Sequence, residues 1–426
     1  DFYDDDNHWN NFNANFDEAA TDAHWGTERV YHYFKDNHNW LSYNNLDSAL
    51  RSYVHYDSNY VNAFWNGSHI TYGDGNGTGF FPLISLDVVA HEIAHGVTQN
   101  SAGLIYMEEA GSLNESFSDI FGAAVEFAYD PNGGDWKMGE DFMNTGNGLR
   151  NMKNPGLFNH PHTYKGNNWG IGFFEDNGYV HSNSGVQNFW YYLLSDGDVG
   201  VNDNGDAYEV EGLGYQKAAD IAFYNLSNHL TVFSDHEDAR MGAIAGAIAL
   251  YGPCSNEYIQ TANAWYAVGV GKPTGSIDLS VEDILLPNRD CGLGASESLI
   301  VALKNNSCAQ SIPAGTNLSF SYTLNNGSPQ IMSVSLSNAL LADSIIYLQH
   351  NQSLDLSQVG NYDIEVEISY SADTLEYNNS LEQRVRHESY QNAEWKLLRV
   401  ISPQSSCDLG DSTLIELSAV FLGCDS

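Results

Sequence analysis

Residues 87–119 constrain this chain most strongly, because they place His91, Glu92 and His95 within one predicted helix. Residues four apart lie on one face of a helix, so the two imidazole rings point the same way. Two neutral imidazoles on one face bind zinc, and a glutamate one residue after the first can reach a water at the metal. The pattern is short, however, and on a surface helix the same residues would form only a solvated polar face.

A third metal ligand follows at a distance that favours zinc over a chance match. Glu115 lies twenty residues after His95, in a second run of apolar residues with helical spacing. Asp119 is one turn further on, where its carboxylate could accept a ring N–H from a histidine ligand and fix the tautomer of that ring. Three protein ligands leave the fourth position to water, which is the arrangement of a catalytic zinc site.

These residues resemble the thermolysin-like metalloproteases. That family carries His-Glu-x-x-His and then a glutamate ligand within Gly-x-x-Asn-Glu-x-x-Ser-Asp, as residues 111–119 read here. The resemblance covers about residues 4–271. It implies an α+β fold with a β-rich N-terminal lobe, a helical C-terminal lobe and the zinc helix between them. It also implies that the chain begins partway into the N-terminal lobe. Metzincins need a third histidine where Ser101 stands.

The resemblance further implies an activity and its catalytic residues. The chain would be an endopeptidase with one zinc ion, in which Glu92 acts as general base on the attacking water. Tyr106 and His181 would stabilise the oxyanion, and Asp176 would orient His181. An apolar residue would be preferred after the scissile bond. Taken singly, a tyrosine in an apolar run or a lone histidine would be assigned to the core or the surface.

Residues 60–72 alternate and are rich in aromatic side chains, which predicts a β-hairpin. In the family this edge strand binds extended substrate through main-chain hydrogen bonds. The implied contacts are the Asn62 side chain and the Ala63 carbonyl. Leu149 would line an apolar wall, and Arg150 would bind the substrate carbonyl beyond the cut. Without the resemblance, residues 60–72 would be an ordinary aromatic core strand.

Carboxylates gather in the Gly-rich loop after the second predicted helix, and carboxylate oxygens are the ligands that calcium prefers. The resemblance implies two structural calcium ions at a shared site, formed by Asp87, Glu126, Asp135, Glu140 and the main-chain carbonyl of Lys137. A solvated acidic loop is the alternative. Residues 198–211 are also acidic and Gly-rich, but they lack the EF-hand pattern and are predicted to form a loop.

The charge balance restricts the partners, because 55 Asp and Glu residues face only 16 Lys and Arg residues, a net charge of -39. Nucleic acid is therefore excluded as a partner, and an anionic membrane is disfavoured. No apolar run is long enough to span a membrane. The first residues are acidic and carry no signal peptide, so we expect a processed chain. The resemblance implies protein or peptide substrates, and we expect a secreted monomer.

Four of the five cysteines belong to an internal repeat. Cys291 and Cys308 have the same spacing as Cys407 and Cys424. The amino-acid sequence around Cys291 recurs around Cys407, 116 residues later. Matching pairs favour one disulfide per copy and an extracellular compartment. Four reduced, buried cysteines are the alternative. Cys254 has no partner among nearby residues.

The resemblance, together with composition and periodicity, predicts four segments. Residues 1–271 form the metalloprotease domain, and residues 272–277 form a linker. Residues 278–388 contain short alternating strands, which predict an all-β, immunoglobulin-like sandwich module of unknown ligand. Residues 389–426 begin a second, truncated copy.

Two other functions remain open. A non-catalytic adhesion protein could use zinc only for structure and bind through its sandwiches. An exopeptidase of the same fold would require a substrate with a free amino terminus.

Overall fold

The chain divides into two units, Asp1–Thr274 and Gly275–Ser426. The computed structural model describes residues 17–130, 133–273, 277–287, 293–308, 310–373, 378–387, 394–402 and 416–422, with backbone alone in the last two ranges. The first unit holds the helices of the described residues, and the second is built from strands. None of the described helices has an apolar stretch of the length needed to cross a membrane.

The helices of the first unit are α1 (Glu18–His38), α2 (Leu86–Gln99), α3 (Glu108–Tyr129), α4 (Asp176–Asn183), α5 (Gly185–Asp196), α6 (Tyr215–Asn228), α7 (His236–Tyr251) and α8 (Asn256–Ala267), with a 3-10 helix at Pro155–Phe158. The two helices predicted around the zinc motif are therefore present as α2 and α3. Every residue from Ala110 to Glu126 on α3 is buried, because this helix is covered on all sides by other elements. The helix that carries Glu115 thus forms the centre of this unit.

Helix α2 begins at Leu86, with Ser85 in the N-cap position. Serine is a favoured N-cap because its hydroxyl can accept a main-chain N–H of the first turn. Here the Ser85 hydroxyl instead donates to the Asp87 carboxylate, and that carboxylate accepts the Val88 N–H at 2.7 Å. An acidic residue thus occupies the positive end of the helix dipole.

The predicted hairpin is confirmed. Strand β1 (Ser52–Tyr53) pairs in parallel with β3 (Ile70–Tyr72), and β2 (Ala63–Trp65) pairs antiparallel with β3 in the order β1-β3-β2. Asn66 closes the turn, since its side-chain oxygen accepts N–H groups from Ser68 and His69, both at 3.0 Å. Among the described residues, β2 is therefore an edge strand with one side unpaired.

The loop prediction for residues 198–211 is wrong. Strands β6 (Gly197–Val201) and β7 (Ala207–Glu211) form an antiparallel hairpin, whereas β4 (Lys137–Met138) and β5 (Arg150–Asn151) form a shorter one. The acidic and glycine residues conceal a period-two pattern, in which Val210 is buried between exposed neighbours. The Asn202 side-chain oxygen accepts the N–H groups of Asn204 and Asp206, each at 3.0 Å, and so closes the turn.

The second unit contains two antiparallel sheets with a common core. Their strands are β8 (Leu279–Leu286), β9 (Ile300–Asn305), β10 (Asn317–Leu324), β11 (Gln330–Ser335), β12 (Ile345–Gln349), β13 (Gly360–Ser369) and β14 (Ser380–His387). The orders are β12-β9-β8 and β11-β10-β13-β14. On β13 the predicted alternation holds, because Ile364, Val366 and Ile368 are buried and join a cluster with Leu279 and Val301 of the other sheet. A further hairpin joins β15 (Glu394–Ser402) to β16 (Glu416–Leu422).

Two cysteines of the described residues, Cys254 and Cys308, are each in a disulfide. Cys254, for which the sequence offered no partner, is therefore oxidised. Cys291, Cys407 and Cys424 lie outside the described residues. Because the chain has five cysteines, the disulfide of Cys254 must use one of the four repeat cysteines, so the predicted pairs Cys291–Cys308 and Cys407–Cys424 cannot both form beside it.

Candidate active site

The three predicted zinc ligands converge between α2 and α3. The Nε2 atoms of His91 and His95 are 3.0 Å apart. Glu115 Oε1 lies 3.4 Å from His95 Nε2, and Glu115 Oε2 lies 3.6 Å from His91 Nε2. Ligands about 2.0–2.1 Å from a tetrahedral zinc ion are roughly 3.3 Å from one another, so these atoms fit three corners of such a site.

Glu115 provides a test of whether these residues suit a cation. Its side chain is 1% exposed, and its Oε2 atom has no hydrogen-bond partner. A buried carboxylate oxygen without a partner is costly unless a cation neutralises it. Although burial raises it, the pKa of Glu115 is held well below its ordinary value by His181, His95 and His91. The glutamate is therefore ionised, which is the form that a zinc ligand requires.

The ring nitrogens that face away from this point are fixed by other side chains. His91 Nδ1 lies 2.8 Å from Asp119 Oδ1, as the sequence predicted for Asp119. His95 Nδ1 lies 2.8 Å from Asn114 Oδ1, a contact that the sequence analysis missed. Because Nδ1 donates to oxygen in both rings, each ring in its neutral form carries on Nε2 the lone pair that a metal requires.

Asp119 is itself held by residues far away in the chain. Arg150 donates to both of its oxygens at 2.7 Å, and the Asn188 amide donates to Oδ2 at 2.7 Å. Burial opposes ionisation, but Arg150 and His91 keep the pKa of Asp119 below its ordinary value. Arg150 also lines the cleft, where its predicted contact with a substrate carbonyl stays a prediction.

Tyr106 and His181 approach the ligands from one side. The Tyr106 hydroxyl donates to the Glu115 carboxylate and lies 3.2 Å from His181 Nε2. His181 Nδ1 is 2.6 Å from Asp176 Oδ1, and the His181 main-chain N–H donates to Asp176 Oδ2 at 3.0 Å. The predicted pair of Asp176 and His181 is therefore in contact. Because this pair lies beside Tyr106, the Tyr106 hydroxyl and His181 Nε2 both lie on one side of the ligand cluster.

A left-handed turn sets this geometry at the start of α4. Asp176, Asn177, Gly178 and Tyr179 have φ values of 48°, 52°, 95° and 61°, which only glycine adopts without strain. A Cβ on Gly178 would lie 2.9 Å from the Glu108 Cα atom, so the turn packs tightly against the start of α3. Strained backbone of this kind persists where the surrounding packing enforces it, often at functional sites.

The ligands lie in a cleft of about 550 Å³ that also contains Glu92 and the edge strand β2. At the two ends of β2, Asn62 C=O accepts Gly73 N–H at 3.0 Å and Asn66 N–H donates to His69 C=O at 3.1 Å, and both bonds are made to residues that flank β3. Main-chain groups alternate in direction along a strand, so those of Ala63 point away from β3. Both predicted contacts, Asn62 and Ala63, line the cleft.

One wall of the cleft is apolar. Leu149 lines the cleft, as predicted, and so do four apolar residues that the sequence did not predict, Leu83, Val88, Met138 and Phe142. These four are buried and come from three separate parts of the chain, namely the segment before α2, α2 itself and the loop after α3. Their assembly depends on the tertiary fold, which explains why local sequence patterns did not reveal them.

Three of the predicted calcium ligands lie in one carboxylate group, a second group shares Glu126 with it, and Asp87 belongs to neither. Oxygens of Glu126, Asp135 and Glu140 lie within 4.8 Å of one another, and so do oxygens of Glu126, Asp130 and Asp141. The sequence does not predict Asp130 or Asp141 as a ligand. Glu140 Oε2 is buried without a hydrogen-bond partner.

Charge repulsion indicates that this region suits a cation. Burial and the Asp87 carboxylate raise the pKa of Glu126 and of Glu140 above their ordinary values. Asp87 is buried and accepts the Gly139 N–H at 2.5 Å. Lys137 donates its main-chain N–H to Asp135 at 2.6 Å, and its carbonyl role stays a prediction. Carboxylates in such numbers, with few compensating charges, fit hard divalent cations.

Comparisons with known proteins agree with this geometry. Residues 1–99 match the thermolysin metallopeptidase catalytic domain, and residues 102–270 match the thermolysin metallopeptidase alpha-helical domain. The chain is 43% identical over 272 residues to a bacillolysin of Brevibacillus brevis, covering 63% of this chain and 48% of that protein. It is 43% identical over 267 residues to a thermolysin of Alicyclobacillus acidocaldarius subsp. acidocaldarius, covering 61% and 47%.

A solved structure gives the same result. The precursor of protealysin, a metalloproteinase from Serratia proteamaculans, is 32% identical, with a TM-score of 0.51 over 61% of this chain and 81% of that chain. The chain spans about half the length of the curated relatives it matches. The matched domains, the identities and the solved precursor agree with one another, and the chain belongs to the thermolysin metallopeptidase family.

Proposed function

We propose that this chain is a zinc-dependent endopeptidase that hydrolyses internal peptide bonds of proteins. The observation that carries the proposal is the convergence of His91, His95 and Glu115 on one point in a cleft that also holds Glu92. When bound there, zinc would lower the pKa of a water molecule and polarise the scissile carbonyl. The family relationship, which covers residues 1–270, supports the same activity.

The side chains of the cleft supply the remaining steps. Glu92 takes a proton from the attacking water and then delivers it to the leaving amine. Tyr106 and His181 donate hydrogen bonds to the oxygen on which negative charge develops, and Asp176 orients the His181 ring. Each of these roles matches the position of the side chain around the ligand cluster.

Specificity follows from the cleft walls. The free edge of β2, with Asn62 and Ala63, binds the substrate as an added strand. The apolar wall around Leu149 accepts an apolar side chain after the scissile bond, because burial of apolar surface stabilises the complex. Arg150 binds the substrate carbonyl on that side, while its remaining donors hold Asp119.

Two calcium ions stabilise the fold at the shared site. Glu126 belongs to both three-carboxylate groups, which supports two ions that share a ligand. Asp87, Asp135, Glu140 and the Lys137 carbonyl complete the proposed site.

The second unit consists of immunoglobulin-like modules. The division into sheets of three and four antiparallel strands supports this assignment for residues 278–388. Residues 389–426 begin a second copy, and residues 272–277 are the linker. A disulfide within one repeat, together with the oxidised Cys254 and Cys308, supports a secreted protein. We propose that it acts as a monomer.

The test is cleavage of an internally quenched peptide that is blocked at both ends and carries Phe-Leu at its centre. Activity should disappear with a zinc chelator and return with added zinc while calcium is kept present. A folded, zinc-loaded protein that leaves this peptide intact would rule out the endopeptidase. If only peptides with a free amino terminus are cleaved, the protein is an exopeptidase. The adhesion alternative predicts no cleavage of either peptide.

A further inference from the structure

We propose that an exposed apolar tip beside the cleft binds apolar segments of protein substrates outside the cleavage site. The tip consists of Ile171, Phe173 and Phe174, whose exposed fractions are 86%, 51% and 95%. The two phenylalanine rings contact edge to face, with centroids 5.4 Å apart. This inference rests on the proposed endopeptidase function, because its ligand is the substrate of that reaction.

The loop that carries the tip has a fixed base. The Gly170 N–H donates to the Asn183 side-chain oxygen at 2.9 Å, and the Asn183 amide donates to the Gly170 carbonyl at 3.1 Å. A Cβ at Gly170 would lie 2.2 Å from Cγ of Tyr179, so only glycine permits this close packing. The base therefore presents the apolar side chains at a defined place, although they make little contact with the rest of the chain.

The tip lies at the rim of the cleft. Phe174 stands two residues before Asp176, so their Cα atoms are at most about 7 Å apart. Asp176 contacts His181, which lines the cleft and lies 3.2 Å from the Tyr106 hydroxyl. A polypeptide long enough to extend from the cleft past His181 would reach the tip.

The chemistry of this surface favours a polypeptide over an anionic membrane. Adjacent exposed apolar side chains mark interaction sites when they are not covered by the fold. Glu175 and Asp176 follow the tip directly, and the chain carries a net charge of -39, so an anionic lipid surface would be repelled. Apolar residues of a substrate that is already held in the cleft meet the tip at high effective concentration.

The experiment compares three blocked peptides with the same cleavable centre. One is short, one is extended at both ends by polar residues, and one is extended by apolar residues. The holoenzyme should cleave the peptide with apolar extensions with a kcat/KM about tenfold above that of the peptide with polar extensions. The reason is that the apolar extension would bury surface of the Phe173 and Phe174 rings. The double variant Phe173→Ser, Phe174→Ser should lose this preference and cleave the short peptide as well as the unchanged protein does. Val199→Ser, an equally exposed residue of β6, should keep the preference.

The outcomes are distinct. If the unchanged protein cleaves none of the peptides, the proposed function fails. If it cleaves all of them without preference, or if the double variant keeps the preference, the tip does not bind substrate. Sedimentation with neutral phosphatidylcholine vesicles provides a further check. Binding that is lost in the double variant, without any peptide preference, would show that the tip contacts lipid and would overturn the proposal.

Discussion

Glu92 Oε2 accepts a hydrogen bond from the main-chain N–H of Trp65, with 2.7 Å between the two atoms. Trp65 lies on β2, two residues after Ala63, so both residues direct main-chain groups to the same unpaired edge. The proposed general base is thus tied to the strand that is proposed to bind the substrate. A peptide paired with this edge would be held in fixed register with the carboxylate, which is the positioning that catalysis requires.

Glu92→Gln should lower kcat by about 10²- to 10⁴-fold, because an amide cannot accept the proton of the attacking water. The amide oxygen can still accept the Trp65 N–H, so the fold and the zinc content should not change. The measurement is turnover of the quenched peptide together with the zinc content of the purified variant. Glu209→Gln on the exposed face of β7 serves as the control. Retained turnover would show that Glu92 is not the base.

Tyr106→Phe should lower kcat by about 10²- to 10³-fold with little change in KM, since the hydroxyl is proposed to stabilise charge that exists only in the transition state. Steady-state kinetics on the quenched peptide measure both constants. Tyr31→Phe removes a hydroxyl that is bonded to Asp47 at 2.8 Å, away from the cleft, and should leave both constants unchanged. An increase in KM at constant kcat would mean that Tyr106 binds the ground state instead.

Local spacing explains which parts of the site could be predicted from sequence. His91 and His95 are one helical turn apart, and so are Glu115 and Asp119, so helix geometry alone aligns each pair. Asp119 is separated in sequence by 31 residues from Arg150 and by 69 residues from Asn188, and a short sequence motif cannot predict contacts across such separations. These contacts depend on how α3 packs in the folded unit.

In residues 198–211, composition and periodicity point to different structures. The run around β6 and β7 looked like a loop because acidic residues and glycines dominate it, yet its valines alternate. In the same way, Asp130 and Asp141 lie eleven residues apart with no motif that joins them, although their oxygens meet at Glu126. Side chains that converge only through tertiary folding require a structure to be recognised.

Asp119→Asn should weaken zinc binding by about 10- to 100-fold, because the carboxylate fixes the His91 ring and strengthens its nitrogen as a ligand. Asparagine keeps one acceptor oxygen but loses the charge. Competition with a chelating dye measures the zinc affinity. Asp74→Asn removes the charge from another carboxylate that contacts a histidine, with Asp74 Oδ1 2.7 Å from His55 Nδ1, and should leave the zinc affinity unchanged. An unaltered zinc affinity in Asp119→Asn would contradict the role assigned here.

Removal of calcium should make stability depend on pH in a defined direction. Burial and the Asp87 carboxylate raise the pKa of Glu126 and Glu140 above the ordinary value of 4.5. Their contribution to the free energy of unfolding is fully present below pH 4.5 and is lost as the pH rises towards the folded-state pKa values. Each group contributes at most about 1.4 kcal/mol per pH unit.

The melting temperature of the zinc-loaded, calcium-free protein should therefore fall as the pH rises from 5 to 8, and added calcium should remove this fall. Glu140→Gln removes one of the repelling charges and should reduce the slope in the absence of calcium. Glu209→Gln again serves as an exposed control. A slope that is identical with and without calcium would mean that these carboxylates do not bind the ion.

His38 should make the protein less stable in acid. Its side chain is 3% exposed and stacks on Phe223 with centroids 4.3 Å apart, and burial lowers the pKa of His38 to about 3. The unfolded chain takes up a proton near pH 6.5, but the folded chain does not. The contribution of His38 to the free energy of unfolding is therefore fully present above pH 6.5. It declines towards pH 3 by at most about 1.4 kcal/mol per pH unit.

His38→Phe should flatten this decline, because an aromatic ring without a titratable group fits the surrounding rings. Urea unfolding at several pH values measures the slope, with the exposed His24→Phe as control. An unchanged slope in His38→Phe would mean that Asp220, 3.8 Å away, allows His38 to be protonated in the folded state.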